Sequence, residues 1–241
     1  MNIALLTGRG GSVSLPDKNV IKVLNRPMMA YPAIMAQQAK NIDEIYISTD
    51  GKKLISIAED MGIKVILRPK ELAKPDSQHK DAIIHALDWL NERSIFPEIL
   101  VVLLCNVGTH TPGVIDKCID ILKKDPDIDS VVTIDERNEY HPLRAKRIGE
   151  DGFLKPFMDI NSDLKISTNR QDLEKCYFLD HSLWALRVEN CFKKGKRGQP
   201  PWDFLGDKII GFPCKGAIDI HNMADVAYTE EWLKQNGWDK G

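Results

Sequence analysis

Short apolar runs of strand length alternate with stretches of helical periodicity through the first half of this chain. The apolar runs cover residues 2–7, 44–48, 64–67 and 99–104. The helical stretches cover 27–40, 51–61 and 77–93, and a fourth should follow Pro112. This alternation is typical of βαβ units, in which helices connect parallel strands. It predicts an α/β fold with a mainly parallel sheet and helices on both faces.

The second half resumes this pattern after an interruption. Strand-like runs follow at 129–134, 177–186 and 209–212, and a C-terminal helix at 223–235. The polar segment between the first two of these runs shows neither the alternation of a strand nor the repeat of a helix. With 241 residues, 43% of them hydrophobic, the chain can build one large core. We expect a single domain, 1–241, with 136–175 as an excursion from it.

Charge and cysteine content narrow the class of function. Lys and Arg number 33 against 35 Asp and Glu, a net charge of −2 that gives no basic field for nucleic acid or an anionic membrane. A strand begins at once without a secretory leader, and no apolar run approaches the roughly 20 residues of a membrane helix, so we expect a cytoplasmic protein. The spacing of the cysteines predicts reduced thiols rather than disulfides or a zinc site. They stand at 105, 118, 176, 191 and 214.

A glycine-rich loop follows the first strand. Its glycines allow backbone N–H groups to approach an anion closely, and Arg9 and Lys18 add positive charge. The loop contains no G-x-x-x-x-G-K-[ST] run, and its G-x-G-x-x lacks the last glycine of the dinucleotide fingerprint. It therefore predicts a phosphate site that is neither a kinase-like P-loop nor a dinucleotide site. An ordinary surface loop is the alternative.

Polar side chains also follow the other predicted strands of the first half. They are Thr49 and Asp50, Arg68, and residues 105–111. Because ligands of open parallel sheets collect at the carboxyl ends of the strands, we expect these residues to share one cleft with the glycine-rich loop.

The order of residues in that loop resembles a family signature. G-R-G-G-S-V-S-L-P-D-K-N at 8–19 is similar to the A-R-x-x-S-K-G-x-x-x-K-N motif of the acylneuraminate cytidylyltransferases, or CMP-sialic acid synthetases. Further similar segments in the same order are N-R-P-M-M-A-Y at 25–31, I-S-T-D at 47–50, R-P-K-E-L-A at 68–73, D-A-I-I-H-A-L at 81–87, D-S-V-V-T-I at 129–134, Y-H-P-L-R at 140–144, R-Q-D-L at 170–173 and A-I-D-I-H at 217–221. The resemblance spans nearly the whole chain and implies a Rossmann-like nucleotidyltransferase fold.

The resemblance also implies a reaction. The anomeric hydroxyl of a 2-keto-3-deoxy sugar acid would attack the α-phosphorus of CTP, giving a CMP-sugar and pyrophosphate. Arg9 and Lys18 would be catalytic, because their charges stabilise the triphosphate. Mg²⁺ would be the cofactor, with Asp219 and His221 as metal residues. The implied nucleotide-binding residues are Gly8, Gly10, Gly11, Ser12, Asn19, Arg68, Asp76 and Ser77.

Three residues of the excursion match the sugar-binding positions of the family. Arg170 would meet the carboxylate of the acid with its guanidinium fork, with Gln171 beside it. Arg144 stands where the family often has lysine. In this family the excursion reaches into the cleft of a partner subunit, so the resemblance implies a homodimer. A pair of ordinary surface arginines is the alternative.

Three departures from the family pattern bear on activity. His221 replaces the second aspartate of a D-x-D motif, and imidazole is a poorer ligand for Mg²⁺ than carboxylate. Val13 replaces a lysine, and residues 105–111 replace Q-P-T-S-P-L-R. They leave open a nucleotidyltransferase with another sugar acceptor or base, and a catalytically impaired nucleotide- or sugar-binding homologue. Asp219 could also serve only as a cap of the following helix.

Overall fold

A seven-stranded sheet forms the centre of the protein. The computed structural model describes residues 1–12, 14–158, 167–192 and 198–240. Its strands, in chain order, are Asn2–Thr7 (β1), Lys22–Val23 (β2), Arg26–Pro27 (β3), Glu44–Thr49 (β4), Lys64–Leu67 (β5), Ile99–Leu104 (β6), Ser130–Glu136 (β7), Lys146–Ile148 (β8), Leu154–Pro156 (β9), Tyr177–Arg187 (β10) and Ile209–Pro213 (β11). The order across the main sheet is β11-β7-β10-β6-β1-β4-β5.

The main sheet is parallel except at one strand. β1 pairs in parallel with both β4 and β6, β4 with β5, and β7 with β11. β10 runs antiparallel to its two neighbours, β6 and β7. The predicted mainly parallel sheet is therefore confirmed, and the carboxyl ends of six strands lie along one edge.

Helices cover both faces of this sheet. They are Ala30–Gln38 (α1), Lys52–Asp60 (α2), His79–Asn91 (α3), Val114–Lys124 (α4), Val188–Phe192 (α5) and Met223–Gln235 (α6). Because side chains alternate along a strand, Ala4 and Leu6 of β1 pack with α1, α2 and α4, whereas Ile3 and Leu5 pack with α3 and α5. Among the described residues, every helix is too short or too polar to cross a membrane.

Two helices begin later than the sequence pattern predicts. α1 begins at Ala30 rather than near Pro27, because Arg26 and Pro27 pair with Lys22 and Val23 in a small hairpin. α3 begins at His79 because the backbone of Gln78 is extended, with φ −84° and ψ 149°. Both shifts follow from chain geometry just before the helix.

The described part of the excursion beyond β7 contains a small hairpin, and residues 159–166 lie outside the described residues. β8 and β9 pair as an antiparallel hairpin that is not part of the main sheet. Ile148, Phe153 and Leu154 of this hairpin are 75%, 71% and 71% exposed. The described part of the excursion thus presents an apolar surface away from the core.

The five cysteines are reduced thiols, as predicted. Cys105, Cys118, Cys191 and Cys214 are buried and Cys176 is half-buried. Burial raises the pKa of the Cys105 thiol to about 12, which disfavours the thiolate that a nucleophile requires.

Candidate active site

A cleft of about 240 Å³ opens at the carboxyl ends of β1 and β6. Its lining includes Thr7, Gly8, Arg9, Lys18, Asn19, Arg68, Lys74, Ser77, Gln78, His79, Asn106, Asp219 and His221. The structure therefore brings Arg9 and Lys18 together with Asp219, although some 200 positions separate them in the chain. The loop after β1 lines a ligand-sized cleft and is more than a surface turn.

The glycine-rich loop is held against the junction of β4 and α2. Gly8 N donates to Ser48 O at 3.3 Å, and Gly10 N donates to the Asp50 carboxylate at 2.7 Å. A Cβ on Gly10 would lie 2.6 Å from Gly51 Cα, a distance that only glycine at this position permits. Asn19 Nδ2 donates to Arg9 O at 3.0 Å, which fixes the loop from its other side.

Not every predicted loop residue lines the main cleft. Gly10 and Ser12 border a second hollow on the α2 side of the loop, together with Lys52 and Lys53. Gly11 is exposed, and Val13 lies outside the described residues. The main cleft is therefore lined by the beginning and end of the motif, at Gly8, Arg9, Lys18 and Asn19.

Lys18 and Asp219 place opposite charges in the same cleft. Burial lowers the pKa of Lys18, Arg9 lowers it further, and the carboxylate of Asp219 opposes both effects. Lys18 Nζ also donates to Ile220 O at 3.2 Å. The ammonium group is thus fixed beside the segment that carries Asp219, where an anionic ligand would meet it.

The segment around Asp219 is positioned from both sides. Asp219 forms a β-bridge with Val107, and Ile220 N donates to Asn106 O at 3.1 Å. His221 Nε2 lies 2.9 Å from Asp219 Oδ2, so these two side chains face each other. Residues two positions apart share one face of an extended segment, so this contact agrees with the extended backbone expected at 219–221.

Asn222, and not Asp219, caps α6. Asn222 Oδ1 accepts from Ala224 N at 2.8 Å and from Asp225 N at 3.2 Å. Asp225 Oδ2 accepts from Asn222 N at 3.0 Å, which completes a capping box. The alternative in which Asp219 is merely a helix cap is therefore wrong, and its carboxylate faces the cleft.

Residues 105–111 contact the Asp219 segment through hydrogen bonds. Thr109 Oγ1 accepts from Ile218 N at 2.9 Å. The buried imidazole of His110 lies with Nε2 3.0 Å from Val107 O, and burial lowers its pKa to about 4 from the ordinary 6.5. A neutral His110 is therefore part of the structure that places Asp219.

The burial of His110 predicts a pH-dependent stability. In the unfolded chain, His110 becomes protonated below its ordinary pKa of 6.5. In the folded protein it becomes protonated only near pH 4. The folded state therefore loses stability as the pH falls from 6.5 toward 4. At about pH 5 the free energy of unfolding should be about 2 kcal/mol lower than at neutral pH because of this one group. Urea unfolding of wild type and His110→Gln at both pH values measures it, because glutamine keeps an N–H donor and does not titrate. Identical pH dependence in the two proteins would contradict the assignment.

Other predicted residues take varied positions. Arg68 is buried, lines the cleft and donates through Nη2 to Ser48 O at 2.7 Å. Ser77 lines the cleft, whereas Asp76 is exposed and outside its lining. Arg170 and Gln171 border a shallow hollow on the excursion, away from the cleft of their own chain. Arg144 is exposed on the same excursion.

Several residues that line the cleft were missed by the sequence analysis, among them Thr7, Lys74, Gln78, His79 and Asn106. Gln78 and His79 come from the start of α3, and Asn106 follows β6. Asn106 lies within 105–111, the segment after the fourth predicted strand, so its position at a strand end already indicated a place in the cleft. No motif pointed to His79, because its place in the cleft depends on where α3 begins.

The donor set around Asp219 suits a cation shared with a substrate. Among the described residues, no group of three or more His, Cys, Asp or Glu side chains could hold a metal ion alone. Asp219 offers a carboxylate and His221 an imidazole. Mg²⁺ is commonly bound by one or two carboxylates and the phosphates of its nucleotide, so the Asp219 carboxylate fits that use.

A mainly parallel sheet with a cationic glycine-rich loop and a carboxylate in one cleft at its strand ends is an arrangement that α/β nucleotide-binding proteins use. The fold is similar to that of CMP:2-keto-3-deoxy-manno-octonic acid synthetase complexed with CTP, with a TM-score of 0.69, 13% identity and coverage of 98% of this chain and 99% of the other. Residues 3–132 match the family model described as Cytidylyltransferase. The chain belongs to the cytidylyltransferase family, and it is an enzyme of that type.

Relatives extend this similarity beyond the matched segment. CMP-N,N′-diacetyllegionaminic acid synthase of Legionella pneumophila is 26% identical over 97% of each chain. N-acylneuraminate cytidylyltransferase of Streptococcus agalactiae is 23% identical over 80% of this chain and 45% of its own length. The resemblance seen in the sequence motifs is therefore confirmed at the level of the family.

Proposed function

We propose that this protein transfers CMP from CTP to the anomeric hydroxyl of a sialic-acid-like 2-keto-3-deoxy sugar acid and releases pyrophosphate. The observation that carries the proposal is the shared cleft of Arg9, Lys18 and Asp219 at the carboxyl ends of the strands. The similarity over 97% of each chain to CMP-N,N′-diacetyllegionaminic acid synthase supports the acceptor class.

The charged residues of the cleft fit the demands of this reaction. A bond forms between the hydroxyl oxygen and the α-phosphorus, the bond from that phosphorus to the leaving pyrophosphate breaks, and the hydroxyl proton passes to solvent or to the pyrophosphate. Arg9 and Lys18 would stabilise the negative charge that accumulates on the leaving group. Asn19 keeps the loop that carries Arg9 in place through its bond to the Arg9 carbonyl.

Asp219 and His221 are the residues that we assign to Mg²⁺. When bound, the cation would neutralise charge on the triphosphate and polarise the α-phosphoryl group. Asp219 contributes the hard oxygen ligand, and its 2.9 Å contact with His221 fixes the orientation of the carboxylate.

A nucleotide survey with pyrophosphate detection tests the proposal. CTP, ATP, GTP and UTP are each incubated with Mg²⁺ and a panel of 2-keto-3-deoxy sugar acids and sugar 1-phosphates. We expect pyrophosphate release only with CTP and a sugar acid. Release with another base or a sugar 1-phosphate would favour the alternative acceptor or nucleotide. CTP binding without release from any pair would favour the impaired homologue.

We further propose that two copies of the chain associate through the excursion. Ile148, Phe153 and Leu154 of the β8–β9 hairpin are 75%, 71% and 71% exposed, and neighbouring exposed apolar side chains often mark a protein–protein contact. Arg170 and Gln171 lie on this excursion, away from the cleft of their own chain. Association would allow the excursion of one copy to supply Arg144, Arg170 and Gln171 to the cleft of the other, where the arginines would bind the carboxylate of the acid.

The dimer proposal predicts the effect of one charge on the hairpin. Leu154 lies opposite Ile148 and is 71% exposed, so Leu154→Glu should disrupt the apolar interface without touching the core. Light scattering after gel filtration should give twice the 27.3 kDa chain mass for wild type and the single-chain mass for the variant. Phe96→Glu, a change at an exposed aromatic outside the excursion, should remain dimeric. A wild-type protein of single-chain mass would refute the proposal.

A further inference from the structure

The segment that carries Asp219 belongs to no regular strand. It lies between β11, which ends at Pro213, and α6, which begins at Met223. Asp219 forms one isolated β-bridge with Val107 and is not part of a ladder. A single bridge constrains a backbone less than the repeated bonds of a ladder do. The contacts of the residues on either side of Asp219 therefore decide where its carboxylate points.

The bridge ends after one residue pair because the opposing chain turns at Gly108. His110 N donates to Gly108 O at 3.1 Å, a bond between residues two positions apart that an extended strand does not make. A Cβ on Gly108 would lie 2.7 Å from Met28 Sδ and 2.9 Å from Thr229 Cγ2, so this turn packs closely against α6. Residue 218, next to Asp219, therefore lies beside a turn and not beside a strand.

The side chain of Thr109 takes the place of a strand partner for residue 218. Thr109 Oγ1 accepts from Ile218 N at 2.9 Å and makes a longer donation to Ile218 O at 3.5 Å. One hydroxyl thus offers the donor and the acceptor that a neighbouring strand would offer from its backbone. Thr109 is 1% exposed, so water does not compete for these bonds.

The residue on the other side of Asp219 is held by different contacts. Ile220 N donates to Asn106 O at 3.1 Å, and the Ile220 side chain is buried in one apolar cluster with side chains of α6. Lys18 Nζ donates to Ile220 O at 3.2 Å. The side chain of Ile218, in contrast, is only half-buried. The position of the backbone before Asp219 therefore depends strongly on the Thr109 hydroxyl.

Thr109 acts from behind the cleft. Residues 105–110 are all buried, and of these it is Asn106 that lines the cleft. This is the segment in which the chain departs from the Q-P-T-S-P-L-R pattern of the family. Because Thr109 faces the Asp219 segment from the protein interior, any effect of its hydroxyl on the reaction has to pass through Asp219.

We propose that Thr109 is a positioning residue for the transfer reaction. Its hydroxyl holds the backbone before Asp219 so that the carboxylate faces the cation and the triphosphate. The inference rests on the proposed function for the role of Asp219. It goes beyond that function because it assigns the altered segment 105–111 to the support of the metal carboxylate rather than to contact with the sugar acid.

Thr109→Val tests the proposal, because valine keeps the shape of threonine and leaves Ile218 N without its acceptor. Loss of an outer partner of a metal ligand typically costs about 10- to 100-fold in metal affinity or activity. We expect kcat to fall about tenfold and the dissociation constant of Mn²⁺ in the presence of CTP to rise about tenfold. Mn²⁺ is the probe because paramagnetic resonance of the free ion measures binding without turnover. Affinity for CTP without a metal should stay within about twofold of wild type.

Two further variants separate the hydroxyl from the packing of the turn. Thr109→Ser keeps the hydroxyl and should retain most of the wild-type kcat and Mn²⁺ affinity. Thr229→Val is the matched control, because Thr229 is also 1% exposed and packs on the same turn. Within the described residues its Oγ1 has no hydrogen-bond partner, so this change should leave both quantities unaltered. If Thr109→Val does not fold, Thr109→Ala removes the same hydroxyl and carries the same expectation.

The outcomes that overturn the proposal are distinct from those that refute the proposed function. Wild-type kcat and Mn²⁺ affinity in folded Thr109→Val would overturn it, and so would equal losses in Thr109→Val and Thr229→Val. A parallel loss of metal-free CTP affinity would also overturn it, because the defect would then not be confined to the carboxylate. Absence of pyrophosphate release from wild type with every acid would refute the proposed function instead. The dependence of Mn²⁺ binding on Thr109 would still be measurable in that case.

Discussion

Asp219→Asn is expected to lower the rate of pyrophosphate release by at least about 100-fold. Asparagine keeps the shape of the side chain but removes the charge that faces Lys18 in the cleft and that we assign to Mg²⁺. The backbone of the segment should persist, because its bonds to Asn106 and Thr109 come from Ile220 and Ile218. Initial rates with saturating CTP, sugar acid and Mg²⁺ give the effect on kcat.

A matched variant distinguishes the loss of a charge in the cleft from the loss of a charge elsewhere on the protein. Asp60→Asn removes the same charge from an exposed position at the end of α2 and should keep wild-type rates. Affinity for CTP in the absence of Mg²⁺ should not fall in Asp219→Asn and should rise modestly, since the carboxylate repels the triphosphate unless a cation lies between them. A rate within about twofold of wild type would remove Asp219 from the mechanism.

The fold was predictable because its signals are local. The main strands of the first half are runs of apolar residues, and α2, α3 and α4 each have one apolar side, as for Ala82, Ile83 and Leu87 of α3. The antiparallel direction of β10 was not predictable, because it is set by the return of the chain from the excursion and not by the strand residues.

The two ends of the glycine-rich motif were predictable in the same way. Gly8 and Lys18 follow a buried strand, and the parallel sheet brings strand ends to one edge. The placement of Asp219 in the cleft could not be predicted from strand ends alone. Its orientation depends on the bridge to Val107 and on Asn222, which caps α6 in its place. The spacing of Asn222 and Asp225 is a capping-box signal that was present in the sequence.

The edge-to-face packing of aromatic and imidazole rings around Trp184 could not be predicted from the sequence. His79, His181 and Trp202 come from α3, from a bulge in β10 and from a loop, and no periodicity links them. The left-handed backbone at His181 depends on buried bonds of Asp180. Such contacts arise only once the sheet and α3 have packed.

Gly10→Ala is expected to weaken CTP binding by about 30-fold or more. The new Cβ would lie 2.6 Å from Gly51 Cα, and a backbone atom cannot turn aside as a side chain can. The loop would have to move from the β4–α2 junction, which breaks the 2.7 Å bond from Gly10 N to Asp50 and displaces Arg9 from the cleft. Overpacking of this kind typically costs about 1–3 kcal/mol, so thermal stability should fall as well.

Gly11→Ala is the matched control, one residue further along the same loop. A Cβ on Gly11 would meet no described atom within 4 Å. Both substitutions restrict the unfolded chain equally, so the difference between the two variants isolates the native contact. Calorimetric titration with CTP should therefore give near-wild-type affinity for Gly11→Ala and a large loss for Gly10→Ala. Equal losses in both variants would mean that the loop binds through its general flexibility, and equal retention would mean that the packing of Gly10 on Gly51 does not position Arg9.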